Sequence, residues 1–132
     1  MRYLGIDYGL RKIGLAFGDD ESKTATPAEV IQNDERLLKR LVELVRSEGI
    51  GAIVAGVPLP TGAHHSDEQL KKTRAFIEAL RQATNIPVHE VDEKYTSSES
   101  RRIQKEMGSG VSEDALAAML ILQSYLDELV HL

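Results

Sequence analysis

The run Tyr3-Leu4-Gly5-Ile6-Asp7-Tyr8-Gly9, followed at once by Arg11-Lys12-Ile13-Gly14-Leu15-Ala16-Phe17-Gly18, constrains the fold more than any other part of the chain. It reads as two strands joined by a tight turn, with a carboxylate in the middle of the first. Strand side chains alternate between faces, so Leu4, Ile6 and Tyr8 share one face and Tyr3, Gly5 and Asp7 the other. Aspartate is depleted in strands and is rarely buried without a partner. A carboxylate in such a place is held by a cation, a donor network or a metal. Gly5, Gly9 and Gly14 carry no side chains, so a phosphate or a nucleic-acid backbone could approach closely. The plainer alternative is that Asp7 caps the Gly9 turn and the glycines serve the hairpin.

Composition sets the frame for that segment. A chain of 132 residues suits one domain, 1–132, with a single core. Its 42% hydrophobic and 28% charged content is that of an ordinary globular protein. No apolar run reaches membrane-spanning length, and Met1-Arg2-Tyr3-Leu4 enters a strand without a signal-peptide pattern. The absence of cysteine excludes thiolate zinc sites and cysteine nucleophiles and fits a cytoplasmic location. A net charge of −5 speaks by itself against nucleic-acid binding, yet clustered metal-binding carboxylates would contribute to the same balance.

The rest of the chain extends the sheet. Thr26 to Ile31 reads as a third strand, which Pro27 restricts to an edge or a strand start. Asn33 or Asp34 is expected to cap a helix carrying Leu37, Leu38, Leu41, Val42 and Val45, with Gly49 as its stop. Gly51-Ala52-Ile53-Val54-Ala55-Gly56-Val57 has the unbroken apolar pattern of a strand buried on both faces. A loop follows from Pro58 to His65. Ser66 with Gln69 reads as the capping box of a second helix, whose buried stripe is Leu70, Ile77 and Leu80. A fifth strand runs from Pro87 to Val91 and ends at Asp92-Glu93. Thr96 and Glu99 open a further helix that stops at Gly108, and Ser112 caps a last, almost wholly apolar helix. Three strands followed by helix-strand-helix-strand and two helices give an α/β domain. A mixed five-stranded sheet with helices on both faces is expected.

Three acidic positions stand where this fold could gather them. Asp7 lies on the first strand. Asp92 and Glu93 end the fifth strand, at the carboxyl edge where open α/β sheets place ligands. Asp114 lies two residues past the Ser112 cap, and its helical neighbours Ala117, Ala118 and Ile121 are compact enough to lie close over the sheet. Such carboxylates suit Mg²⁺, which takes oxygen ligands and retains water for substrate phosphates. Two such ions about 4 Å apart would stabilise both oxygens of a phosphodiester exchange. Each acid also has an ordinary reading: Asp114 at the positive end of its helix, Asp92 and Glu93 as solvated charges beside Lys94. Glu113 competes with Asp114.

Four blocks in order resemble the YqgF/RuvX family of Holliday-junction-resolvase-like proteins. They are Gly5-Ile6-Asp7-Tyr8-Gly9 with Ile13-Gly14-Leu15-Ala16, then Gly56-Val57-Pro58-Leu59, then Asp92-Glu93-Lys94-Tyr95-Thr96-Ser97, and finally Asp114-Ala115-Leu116-Ala117-Ala118 with Ile121-Leu122-Gln123-Ser124-Tyr125-Leu126. The resemblance spans nearly the whole chain. It implies an RNase H-like fold and a nuclease that depends on Mg²⁺ (or Mn²⁺), acting in precursor 16S rRNA 5′-end processing or Holliday-junction resolution. Its catalytic and metal-binding triad falls on Asp7, Glu93 and Asp114. The sequence departs from the family pattern twice. Lys94 stands where arginine is usual, which loses the bidentate phosphate fork, and Pro60-Thr61-Gly62-Ala63-His64-His65-Ser66 replaces an Asn-Met-Asp-Gly-Ser loop. That loop is expected to order over substrate.

Arg11, Lys12, Lys94, Arg101 and Arg102 are the candidates for phosphate contact, which positions a substrate without reading its sequence. The Lys71-Lys72 pair reads as a solvated helix face. The expected partner is nucleic acid, structured RNA or branched DNA, with no membrane and with a homodimer compatible. Two other classes compete: a non-catalytic nucleic-acid-binding or ribosome-assembly module, and one lobe of an actin-like ATP-dependent phosphotransferase.

Overall fold

A computed structural model describes residues 1–58, 66–93, 102, 105–106 and 110–129. Five strands, β1 (Arg2–Tyr8), β2 (Lys12–Asp19), β3 (Thr24–Gln32), β4 (Ile50–Pro58) and β5 (Val88–Glu93), form one sheet in the order β3-β2-β1-β4-β5. β1 pairs antiparallel with β2 and β2 with β3, whereas β4 lies parallel to β1 and β5 parallel to β4. The mixed sheet read from the sequence is therefore the sheet observed. Pro27 sits on the edge strand, beside a register shift between Gly14 and Ala16 of β2, where its missing N–H costs no ladder bond.

Alternation divides the core into two. Leu4, Ile6, Ile13, Leu15, Ile53, Ala55 and Val57 pack against α1 (Leu37–Ser47) and α2 (Ser66–Thr84) through Leu37, Leu41, Phe76, Ile77 and Leu80. Tyr3, Ala16, Ala25, Ala52 and Val54 pack on the opposite face against α3 (Glu113–Leu129), through Ala118, Ile121, Leu122 and Leu126. Each fully buried Leu or Ile removes enough apolar surface to stabilise by about 1.5–3 kcal/mol, so both layers hold the sheet.

Several local expectations needed correction. Neither Asn33 nor Asp34 caps α1: Arg36 occupies the cap position without a side-chain bond. The Asp34 carboxylate accepts from the Arg36 N–H at 2.9 Å in the turn before the helix, and Asn33 bonds elsewhere. The stripe of α2 includes Thr73 and Phe76. Asp92 and Glu93 end β5, as read from the sequence, and the strand starts at Val88 rather than Pro87. The Ser112 cap is present, its hydroxyl accepting from the Asp114 N–H at 3.2 Å. Loop residues 59–65, Lys94, the Thr96/Glu99 cap, Arg101 and Gly108 lie outside the described residues.

Candidate active site

Asp7 lies in the central strand β1, directly opposite Gly14 of β2. Opposed residues of an antiparallel pair share a face, and that face is the one α3 covers. Gly14 is what lets α3 arrive: a Cβ there would overlap the Asp114 carbonyl. The first turn of α3 therefore rests on the residue paired with Asp7. Further along, a Cβ on Gly5 would stand 2.8 Å from Leu122 Cβ and 2.9 Å from the Ala118 carbonyl oxygen, and one on Gly56 would strike Ile121. The close-lying helix face read around Asp114 is thus seated on backbone, at sites without side chains. Its polar tie is Gln123, whose side chain accepts from the Ala25 N–H at 2.9 Å and donates to the Lys23 carbonyl at 2.9 Å.

The third acid follows from register. Glu93 is paired with Pro58 and Val91 with Gly56, and Gly56 faces α3. Alternation sets Glu93 on that same face, at the carboxyl edge of the sheet. Asp92 is paired with Val57, which belongs to the opposite core. Of the two adjacent acids at the start of α3, Glu113 is exposed and Asp114 half-buried. Asp7, Glu93 and Asp114 thus share one face and one edge.

They do not form a closed cage. Among the described residues no three His, Cys, Asp or Glu side chains are grouped so that they could hold a metal ion. The donor chemistry nevertheless fits a hard divalent cation, since all three groups offer carboxylate oxygens. Of the candidate phosphate contacts, Arg11 and Lys12 are exposed at the β1–β2 turn next to the acidic edge, and Arg102 is exposed. Lys72 pairs with Glu68 at 3.4 Å on the solvated face of α2.

A domain with this mixed sheet, its helices on both faces and its acids at the carboxyl edge belongs to the class of RNase H-like folds. A family model described as RuvX, Holliday junction resolvase, matches residues 1–128, and the chain belongs to that family. The chain is 40% identical to a protein of Sulfurihydrogenibium sp. named "Putative pre-16S rRNA nuclease", over 97% of this chain and 91% of that one. A protein of the same name from Anaeromyxobacter sp. is 37% identical, with 96% and 97% covered. Among solved structures, Thermus thermophilus RuvC in complex with a Holliday junction superposes with a TM-score of 0.69 at 14% identity, covering 98% and 96%. The fowlpox virus resolvase bound to Holliday junction DNA gives 0.63 at 12% identity, covering 98% and 99%. At those identities the likeness establishes the fold. Among the described residues no helix is long and apolar enough to cross a membrane.

Proposed function

We propose that this chain is a metal-dependent nuclease hydrolysing phosphodiester bonds of structured nucleic acid, in the 5′-end processing of precursor 16S rRNA, with branched DNA as the alternative substrate. The observation that carries this reading is the shared face and edge of Asp7, Glu93 and Asp114 beneath the start of α3. The names of relatives at 37–40% identity agree with it.

Asp7 would supply the fixed ligand, because β1 is held on both sides by β2 and β4. Asp114 would contribute from α3, its backbone position set by Gly14. Glu93, at the end of β5, would close the set from the adjoining strand. Held by these three groups, Mg²⁺ or Mn²⁺ would supply charge that stabilises the attacking and leaving oxygens of the phosphodiester. Arg11 and Lys12, with Lys94, Arg101 and Arg102, would orient the phosphate backbone. Cutting both strands of a symmetric junction would take two copies of the chain, each with one acidic edge.

The test is a cleavage screen with Mg²⁺ and with Mn²⁺, comparing precursor rRNA ends with four-way DNA junctions, run beside Asp7→Asn. Metal-dependent cutting that the variant lacks supports the reading. Tight binding without cutting of either substrate would instead make the chain a binding or ribosome-assembly module.

A further inference from the structure

The turn that follows Asp7 is tied down on both sides. The Asn33 side-chain amide donates to the Gly9 carbonyl at 2.8 Å, and the Asn33 backbone N–H donates to the Arg11 carbonyl at 2.9 Å. One residue at the end of β3 thus pins the chain before and after Leu10. The turn is also closed on itself, since a Cβ on Gly9 would lie 2.5 Å from the Lys12 carbonyl oxygen.

Leu10, at the tip of this pinned turn, is 56% exposed. Arg11 and Lys12 are exposed beside it. Among the described residues, the aromatic rings are engaged elsewhere. Tyr8 stacks on Phe76 at 4.6 Å, Tyr3 and His89 pack on Tyr125 toward the far end of α3, and Phe17 carries the Arg2 guanidinium 4.7 Å above its ring. Among the described residues, Leu10 is the large apolar side chain displayed beside the acidic edge.

We propose that the Asn33-clamped turn is a preformed prong. It packs Leu10 against an exposed base step beside the bond to be cut and sets Arg11 and Lys12 on the flanking phosphates. This rests on the nuclease reading above. An apolar side chain entering a base step must unstack it, and the cost is least where the strand is already branched or distorted. A tip fixed beforehand has little ordering cost on binding. The prong therefore favours branched or frayed strands over continuous duplex, with Leu10 the specificity residue and Asn33 a positioning residue acting through the turn.

The experiment uses a four-way DNA junction and an RNA stem with a single-stranded extension, each carrying 2-aminopurine next to the branch, together with matching continuous duplexes. Binding is read in Ca²⁺ and cleavage separately in Mg²⁺, for the unaltered chain, Leu10→Ala, Leu10→Met and Asn33→Ala. The unaltered chain and Leu10→Met should raise the fluorescence of a branched probe. Leu10→Ala should lose that rise and bind the branched probe about tenfold more weakly, as loss of a buried leucine contact implies. Its duplex binding and urea midpoint should not change. Asn33→Ala should lose part of the rise with the same split between probes. Flat fluorescence with the unaltered chain on both branched probes overturns the proposal, as does Leu10→Ala behaving like the unaltered chain. Equal weakening on branched and continuous probes also overturns it, since Leu10 would then be a general contact. A Leu10-dependent rise without any cleavage leaves the prong standing and removes the nuclease reading, so the two failures are distinguishable.

Discussion

Gly14 lies directly beneath the Asp114 carbonyl, with no space for a single added carbon between β2 and the first turn of α3. Because Gly14 is the register partner of Asp7, this contact sets the distance between two of the candidate site's acids. Gly14→Ala should destabilise the fold by at least about 3 kcal/mol, the upper range for overpacking, because the obstacle is backbone. Gly110, whose Cβ would meet nothing within 4 Å, is the control: Gly110→Ala should stay within about 0.5 kcal/mol. Urea unfolding of both variants checks this, and equal midpoints would contradict the contact.

Asp7→Asn should keep the fold and abolish cleavage. The amide preserves shape and removes the charge needed to hold a cation. Losing several kcal/mol of charge stabilisation corresponds to a rate lower by at least about a hundredfold. Retained circular dichroism with cleavage at the native rate in excess Mg²⁺ would exclude Asp7 from the chemistry.

Chelation should stop cleavage, and either Mg²⁺ or Mn²⁺ should restore it, because both accept carboxylate oxygens. Cleavage that persists in EDTA after extensive dialysis would remove the cation from the proposal.

Affinity should fall steeply with salt and depend little on sequence. Each phosphate contact contributes about 0.7 to 0.9 to the slope of log affinity against log salt. Replacing Arg11 and Lys12 by Ala should lower the slope by about 1.4 to 1.8 if both contact phosphate. An unchanged slope would locate the basic surface elsewhere.

The β2–β3 connection carries a pH-dependent element. The Ser22 N–H at 2.7 Å, together with the Glu21 N–H at 2.9 Å, donates to the Asp19 carboxylate and holds its pKa below the ordinary 3.8. A folded value below the unfolded one means that this stabilisation is present above about pH 3.8 and disappears as pH falls through the folded value. Asp19→Asn should flatten the acid limb of stability. A carboxyl NMR titration of Asp19 centred at or above 3.8 would contradict the turn geometry.

The sheet was legible because its signals are local and strong. The unbroken apolar run of β4 announced a strand buried on both faces, and Pro27 announced an edge. The small face of α3 was legible for the same reason, since Ala117, Ala118 and Ile121 recur at helical spacing. Asn33 was misread because a helix-capping residue and a tie across a turn share the same amide chemistry; only the third dimension brings Gly9 to it. Gln123 likewise looks like a solvated helix position, yet its partners are 98 and 100 residues distant. The acids were placed by strand parity, which separated Glu93 from Asp92 only once the register with β4 was in hand.

The glycine-floored seat of α3 has a further consequence. Gly5, Gly14 and Gly56 let the helix contact the sheet over most of its length, so the end bearing Asp114 is not free to fray independently of the core. Segments joined in this way open together or not at all. Amide hydrogens of Ala118 and Leu122 should therefore exchange at the rate of Leu4 and Ile6, through global unfolding. The acidic edge would then keep its layout as long as the protein stays folded, and lose it in a single step.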